Sequence, residues 1–391
     1  MPNGGFPQSL LEKPVEARMA YFKSFTMAHP LLKEADAALR QAIQEPAGRS
    51  LIFVYGPTGV GKTTLRFRVE KHLKESLLPA LENDPGRVPV VSIEAAADSS
   101  QFSWKDYYRR ALISLEEPLI DQKITDRHRG LFRDFSGRLA VDPRAVGLEI
   151  RYALENALIH RRPAAFFVDE AQHLAKMQSG RKLQDQLDSI KSLASLTDTV
   201  HVLVGTYELL PFRNLSAQLS RRSIDVHFRR YRANSREDHA AFQSVVFTFQ
   251  RNLPVPSEPD LLKDIDYCYE RSIGCVGVLK DWLTRALSVA LTNGSATITR
   301  KILEQTAWSV DQSERMAKEA LEGEADLSER EESRGRLRNL LGLDSFATST
   351  SGPSVPSADV ISATSNRGKR VGQRLPVRDV VGASQGELHA H

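Results

Sequence analysis

The sequence predicts an α/β fold in which helices flank a parallel central sheet, followed by a small α-helical lid and a disordered C-terminal tail. Short apolar runs alternate with helical periodicity over residues 18–230, and the strand-like runs stop there. From residue 323 the chain is charged and then rich in Ser, Thr and Pro. We therefore expect a flexible lead (1–17), an α/β domain (18–230), a helical lid (231–322) and a largely disordered tail (323–391).

The composition is that of a soluble globular protein. A hydrophobic content of 41% over 391 residues is enough for a sizeable core. No window has ~18 consecutive apolar residues, and the N-terminal segment lacks a signal pattern, so we expect a cytoplasmic location and no membrane partner. Cys268 and Cys275 are too few for a disulfide framework and are predicted to be core residues. The net charge of +4 permits nucleic-acid binding without demonstrating it.

The stretch after the first predicted strand, Leu51–Val54, has the pattern of a phosphate-binding loop. It fits G-x-x-x-x-G-K-[ST] at every position, and the helical spacing after it places the loop at a helix N-terminus, where the dipole favours an anion. Lys62 is expected to reach the β- and γ-phosphate oxygens of ATP, and the hydroxyl of Thr63 to hold Mg²⁺. The alternative is a chance glycine-rich turn, which the flanking strand and helix disfavour. The predicted cofactor-binding residues of the loop are Gly56, Pro57, Thr58, Gly59, Val60, Gly61, Lys62, Thr63 and Thr64.

A second decisive stretch is an apolar strand that ends in two adjacent carboxylates, Asp169 and Glu170. Acids at the end of a buried strand are costly unless a cation or a reactant meets them. Asp169 is suited to hold the Mg²⁺ of a bound nucleotide, and Glu170 to orient and polarise the attacking water. Following an intact phosphate loop, the pair predicts ATP hydrolysis.

Two further positions are candidates for contacts with the γ-phosphate. Thr206 ends another buried strand, where its hydroxyl can contact the γ-phosphate or the water; the alternative is an ordinary turn residue. Arg221 and Arg222 precede a short outer strand and suggest an arginine finger inserted into a neighbouring subunit's nucleotide, with Arg221 preferred. The alternative for the two arginines is a surface basic pair.

The predicted lid also contributes a candidate cation. Gly274 and Gly277 open one of its helices, and Lys280 in the first turn is predicted to sense the bound phosphates. Arg285, slightly more than one turn further on, competes for that role.

A predicted helix beginning near Phe102 carries three cations, Lys105, Arg109 and Arg110, interleaved with aromatic residues. Lys and Arg beside flat aromatic rings suit a nucleic-acid surface. The alternative is an amphipathic helix with a solvated cationic face.

The order of these parts resembles the TniB/TnsC family of AAA+ transposition regulators, which are related in role to MuB. The resemblance covers roughly residues 18–291. It is carried by the phosphate loop and by the segments Tyr21–Pro30 (YFKSFTMAHP), Val168–Leu174 (VDEAQHL), Val204–Leu210 (VGTYELL) and Ser220–Arg222 (SRR). The tail after residue 323 has no counterpart in the family.

The resemblance implies a P-loop AAA+ fold and slow, regulatory hydrolysis of ATP to ADP. It implies a homo-oligomer, ring or filament, that assembles on duplex DNA independently of sequence in the ATP state, recruits the transposase to a site chosen by a target-selection factor, and disassembles on hydrolysis. In the family the helix after the second strand faces DNA, which favours Lys105, Arg109 and Arg110 as DNA contacts. The competing functional class is an AAA+ ATPase that remodels or signals through protein partners without binding DNA. An initiator or helicase loader is disfavoured because no winged-helix reader is evident after the lid.

Overall fold

The computed structural model describes residues 5–48, 50–95, 97–98, 101–117, 131–133, 139–141, 143–174, 181–213, 221, 223–327 and 331–343. The chain forms two compact units, divided between Ser328 and Glu329. Among the described residues, no helix is both long enough and apolar enough to span a membrane.

The first unit is built around a five-stranded parallel sheet in the order β2-β7-β8-β1-β9. Two short antiparallel pairs, β3 with β4 and β5 with β6, lie outside it. Because the strands of the sheet are parallel, the loop after β1, the two carboxylates at β7 and the residue after β8 meet at one edge, where ligands bind in open α/β sheets. The strands are β1 (Leu51–Tyr55), β2 (Val90–Glu94), β3 (Ala97–Asp98), β4 (Gln101–Phe102), β5 (Leu131–Arg133), β6 (Leu139–Val141), β7 (Ala165–Asp169), β8 (Val200–Gly205) and β9 (Ser223–His227).

Helices cover both faces of the sheet and then form the lid. They are α1 (Val15–Ser24), α2 (Pro30–Gln44), α3 (Lys62–Ser76), α4 (Leu78–Asn83), α5 (Trp104–Ser114), α6 (Pro143–Arg161), α7 (Arg181–Thr197), α8 (Leu210–Arg213), α9 (Arg236–Asn252), α10 (Ile265–Ser272), α11 (Val276–Thr292), α12 (Arg300–Thr306) and α13 (Val310–Leu327) in the first unit, and α14 (Glu331–Leu340) in the second.

The side chains of β1 alternate between two hydrophobic clusters. Ile52 and Val54 face a cluster shared with α2, α3 and the lid, whereas Phe53 and Tyr55 face a cluster shared with α5, α6 and α7. The core of the lid is therefore continuous with the core on one face of the sheet.

The N-terminal segment corrects the expectation of a flexible lead over residues 1–17. Residues 8–12 form a 3₁₀ helix, α1 begins at Val15, and a proline precedes each of the two helices. Leu10 is buried, and the backbone N–H of Phe6 donates to the carbonyl of Arg251 at 3.2 Å. The segment is thus held by contacts with the lid that its own composition does not reveal.

The last lid helix corrects the expected start of the disordered tail at residue 323. Helix α13 continues to Leu327, so Gly323 and Glu324 lie within it. Gly323 approaches the Tyr207 ring so closely that a Cβ would overlap it, and Glu324 pairs with Arg230. A charged composition suggested solvation, but an acid that meets a cation can be buried. In the second unit, α14 exposes Leu337, and the chain from residue 344 lies outside the described residues.

Candidate nucleotide-binding site

The phosphate loop connects β1 to α3, and its backbone shows why glycine is needed there. Gly59 and Gly61 have φ values of 73° and 114°, in the region that L side chains rarely adopt. Gly56 lies so close to the carbonyl of Phe228 that a Cβ would overlap it. Gly59 and Gly61 therefore supply dihedral angles that other residues rarely adopt, whereas Gly56 is required for close approach.

Lys62 is the first residue of α3, and its ammonium group is turned onto the loop itself. Nζ donates to the carbonyls of Gly56 at 3.0 Å and Pro57 at 2.9 Å. Burial lowers the pKa of Lys62 to about 8, although the negative charges of Glu170 and Asp169 oppose the shift. The group is therefore still protonated at pH 7, and phosphate oxygens would replace carbonyls that it already contacts.

Asp169 lies beside Thr63, as a magnesium site requires. The Thr63 hydroxyl donates to Oδ2 of Asp169 at 3.4 Å, and the carboxylate is largely buried. One hydroxyl and one carboxylate oxygen fit Mg²⁺, which takes its other ligands from phosphates and water. Among the described residues, no group of three or more His, Cys, Asp or Glu side chains could hold a metal by itself. The arrangement therefore suits a metal that arrives with nucleotide.

Arg66 belongs to this site, although the sequence motifs did not predict it. Its Nε donates to the same Asp169 Oδ2 at 3.0 Å, and its Nη1 donates to Oε1 of Glu70 at 2.7 Å and to the hydroxyl of Ser92. The available signal was its spacing, since Arg66 follows Thr63 by three residues on α3 and so shares its face.

Glu170 has a left-handed backbone, with φ at 51°, and is held by Gln172. Nε2 of Gln172 donates to Oε2 of Glu170, while Oε1 of Gln172 accepts from the backbone N–H of Thr206 at 3.3 Å. Gln172 is buried, and a Cβ on Gly205 would overlap its amide oxygen. The side chain therefore joins the carboxylate to the end of β8.

Thr206 lies at the mouth of a cleft of about 310 Å³ that also contacts Pro57 and Thr58 of the phosphate loop. Its Oγ1 is buried without a hydrogen-bond partner among the described residues. The opposite wall of the cleft is α13, including Glu319 and Gly323. The structure thus brings Thr206 to the loop, with its buried hydroxyl unpaired among the described residues.

The lid contacts the phosphate loop directly through the first turn of α11. The backbone N–H of Val278 donates to the carbonyl of Gly59 at 3.1 Å. Gly277 is pressed against the same carbonyl, where a Cβ would overlap it. The shape of the loop is therefore fixed partly by the lid.

On the other side of the loop lies a mostly apolar pocket of about 50 Å³, between α1, α2 and the lid. Its walls include Phe25, Met27, Val60 and Phe228. This pocket is not predictable from sequence motifs, because its walls come from segments that are distant in sequence. The pocket places an apolar wall beside Gly61 and Thr64 of the phosphate loop.

The comparisons with known proteins agree with this geometry. Residues 44–212 match the family model described as AAA domain. The chain has the P-loop AAA+ fold. No curated protein matches it. The matched family is that of AAA domains in general, so the resemblance to the TniB/TnsC regulators stays a prediction.

Three solved structures resemble the AAA+ fold of this chain at low identity. The ORC2 protein of Aeropyrum pernix is 16% identical, with 75% of this chain and 73% of that chain covered and a TM-score of 0.46. The Aeropyrum pernix ORC1 protein in complex with DNA is 16% identical, with 72% of this chain and 65% of that chain covered and a TM-score of 0.44. Drosophila ORC bound to DNA is 15% identical, with 85% of this chain and 84% of that chain covered and a TM-score of 0.44. At these values the similarities carry no inference about function.

The two lid cations, Lys280 and Arg285, contact other parts of the chain. Nζ of Lys280 donates to the carbonyl of Lys23 at 2.8 Å, and the side chain lines the apolar pocket. Arg285 stacks on Trp308 with 4.0 Å between its guanidinium carbon and the ring centroid. The role of either side chain in sensing phosphate stays a prediction.

Arg221 of the AAA+ fold is exposed just before β9, and Arg222 lies outside the described residues. The finger therefore stays a prediction, since its expected target belongs to another subunit.

Helix α5 of the AAA+ fold presents Lys105, Arg109 and Arg110 to solvent. Nε of Arg110 also pairs with Oδ2 of Asp106 at 2.6 Å. The aromatic residues of this helix are not a stacking surface: Tyr107 and Tyr108 are buried in the core against Trp104. This corrects the expectation that aromatic rings would accompany the cations, because the rings occupy the opposite, core-facing side of the helix.

Proposed function

We propose that this chain is an ATP-dependent DNA transposition regulator, which oligomerises on duplex DNA in the ATP state and disassembles on hydrolysis. The observation that carries the nucleotide part is the convergence of the phosphate loop, Thr63, Asp169 and Glu170 at one edge of the sheet, with 3.4 Å between the Thr63 hydroxyl and Asp169. The transposition part is supported by the resemblance of the sequence motifs to the TniB/TnsC family.

The proposed chemistry assigns one task to each side chain. Lys62 leaves the loop carbonyls for the β- and γ-phosphate oxygens, and Thr63 and Asp169 hold Mg²⁺. The metal, when bound, supplies positive charge against the phosphate oxygens. Glu170, oriented by Gln172, polarises the attacking water, and the free hydroxyl of Thr206 contacts the γ-phosphate or that water.

In this proposal the site is completed by a second copy of the chain. The cleft beside Thr58 and Thr206 opens towards solvent, and Arg221 or Arg222 of a neighbour enters it and stabilises the γ-phosphate. Assembly then depends on ATP, and hydrolysis removes the contact that joins the subunits. A target-selection factor and the transposase are the proposed partners of the assembled state.

DNA binding is assigned to the exposed cations of α5. Lys105, Arg109 and Arg110 would contact phosphates of the duplex, which gives sequence-independent binding that weakens with salt through counterion release.

The nucleotide part is tested by hydrolysis assays and electron microscopy with duplex DNA. Glu170→Gln should bind ATP, lose hydrolysis and leave assemblies that persist on DNA. Lys62→Ala should lose both nucleotide binding and assembly. A Glu170→Gln variant that disassembles like the wild type would contradict the proposal.

The DNA part is tested by charge reversal. Lys105→Glu combined with Arg109→Glu and Arg110→Glu should abolish ATP-dependent DNA binding. Lys71→Glu, at an exposed position of α3, serves as a charge-reversal control. If ATP hydrolysis and assembly do not require DNA and do not change when DNA is added, the competing function applies. That function is an AAA+ ATPase that acts through protein partners.

A further inference from the structure

We propose that Arg66 is a resident cation that neutralises Asp169 until Mg²⁺ arrives with nucleotide, and so sets the Mg²⁺ concentration that nucleotide binding requires. The inference rests on the proposed function, because it concerns the same nucleotide site. The observation is that Oδ2 of Asp169 accepts from Arg66 Nε at 3.0 Å and from the Thr63 hydroxyl at 3.4 Å.

Asp169 needs a cation when no metal is bound. Its side chain is only 10% exposed, and a buried carboxylate without a partner is costly. Arg66, with 13% of its side chain exposed, supplies that charge at hydrogen-bond distance. Without the metal, the guanidinium therefore neutralises the charge of Asp169, as Mg²⁺ would when nucleotide is bound.

The contact between Arg66 and Asp169 also disfavours the binding of Mg²⁺. A dication bound between Thr63 and Asp169 would lie within a few ångströms of the guanidinium, and like charges at that distance repel strongly in a buried site. Arg66 must therefore weaken or release its contact with Asp169 as Mg²⁺ enters. Nucleotide binding consequently requires more Mg²⁺ than it would without Arg66.

Arg66 has two other hydrogen-bond partners that remain when it releases Asp169. Nη1 already donates to Glu70 at 2.7 Å and to the hydroxyl of Ser92, and both partners remain when Asp169 is released. Glu70 is buried and lies one turn after Arg66 on α3. The guanidinium therefore has a second anchor of opposite charge, so that it is not left unpaired when the metal takes its place.

The test measures the free Mg²⁺ concentration at half-maximal binding of a fluorescent ADP analogue, which is not hydrolysed during the titration. Arg66→Gln should lower this concentration at least fivefold, because no cation then competes for Asp169. Glu70→Gln should raise it at least threefold, because Arg66 loses its other acidic partner and holds Asp169 more strongly.

Arg68→Gln is the matched control. Arg68 lies on the same helix, but its Nε pairs with Asp36 at 3.3 Å on the side facing α2, so its removal should leave the Mg²⁺ requirement unchanged. If Arg66→Gln does not fold, the rise expected for Glu70→Gln decides the question.

Several results would overturn the role of Arg66: an unchanged requirement in Arg66→Gln, a fall or no change in Glu70→Gln, or equal shifts in Arg66→Gln and Arg68→Gln. Failure of the wild-type protein to bind the analogue at any Mg²⁺ concentration would instead reject the proposed nucleotide function.

Discussion

Glu324 of α13 accepts a hydrogen bond of 2.9 Å from Nε of Arg230, which follows β9, and both side chains are at least nine-tenths buried. Oε2 of Glu324 also lies 3.5 Å from Nε of Arg232. One acid thus fixes the last lid helix to the segment that leaves the sheet, beside the cleft that contains Thr206. The stability of the first unit should depend on it.

Glu324→Ala should lower the free energy of unfolding by about 3 kcal/mol, because removal of one partner leaves the buried charge of Arg230 uncompensated. Urea denaturation at pH 7 measures the effect. Glu322→Ala, an exposed acid two residues earlier on α13, is the control and should change the value by less than about 0.5 kcal/mol. Equal values for the two variants would contradict the buried pair.

Gly277→Ala should weaken nucleotide binding about tenfold. The new Cβ would overlap the carbonyl of Gly59, so the first turn of α11 must move and the Val278 hydrogen bond to the loop is lost. Titration with a fluorescent nucleotide measures the affinity. Gly147→Ala on α6, where a Cβ meets nothing within 4 Å, should bind as the wild type does. Unchanged affinity in Gly277→Ala would show that the lid does not shape the loop.

Gln172→Ala should lower kcat for ATP hydrolysis by about 10- to 100-fold while nucleotide affinity changes by less than about threefold. Gln172 orients Glu170 and touches no predicted phosphate contact except through the Thr206 backbone. Steady-state hydrolysis and direct binding separate the two effects, and Gln41→Ala, a change at an exposed residue of α2, is the control. A loss of affinity with kcat intact would place Gln172 in binding instead of in the orientation of Glu170.

Acid should destabilise the fold through His201, which is fully buried in β8 and stacks on Phe166. Burial lowers the pKa of His201 to about 4, although the hydrogen bond to the Thr199 carbonyl opposes the shift. The folded pKa lies below the unfolded value of about 6.5, so His201 does not reduce the free energy of unfolding above pH 6.5. As the pH falls from 6.5 towards 4, that free energy decreases, because the unfolded chain binds a proton that the folded chain does not.

At pH 5 the low pKa of folded His201 reduces the free energy of unfolding by about 2 kcal/mol. Between pH 7 and pH 5, His201→Leu should therefore lose about 2 kcal/mol less unfolding free energy than the wild type. His160→Gln, a change at an exposed histidine, should lose as much as the wild type. An identical loss in all three proteins would exclude His201 as the titrating group.

The parts of the site that could be predicted from sequence are those encoded in short segments. The phosphate loop is contiguous, and Asp169 and Glu170 follow a fully apolar strand, so strand, loop and helix patterns were enough. Arg66 and Gln172 escaped because their roles depend on which strands lie side by side in the sheet, a property of the tertiary fold.

The same reason explains the misplaced residues. Glu324 looks like one acid of a solvated run until α13 brings it to Arg230. Tyr107 and Tyr108 look available for stacking until α5 turns them into the core. A charged side chain is usually exposed unless it is paired, and tyrosine occurs both at the surface and in the interior, so the tertiary neighbours decide where each residue lies.

The backbone contact between Gly59 and Val278 bears on how such proteins can be recombined. A lid transplanted from another protein of this fold would have to bring a glycine and a free N–H to the carbonyl of Gly59. Otherwise the phosphate loop would lose this contact. A chimera whose junction excludes the first turn of α11 should therefore bind nucleotide more weakly than one that includes it.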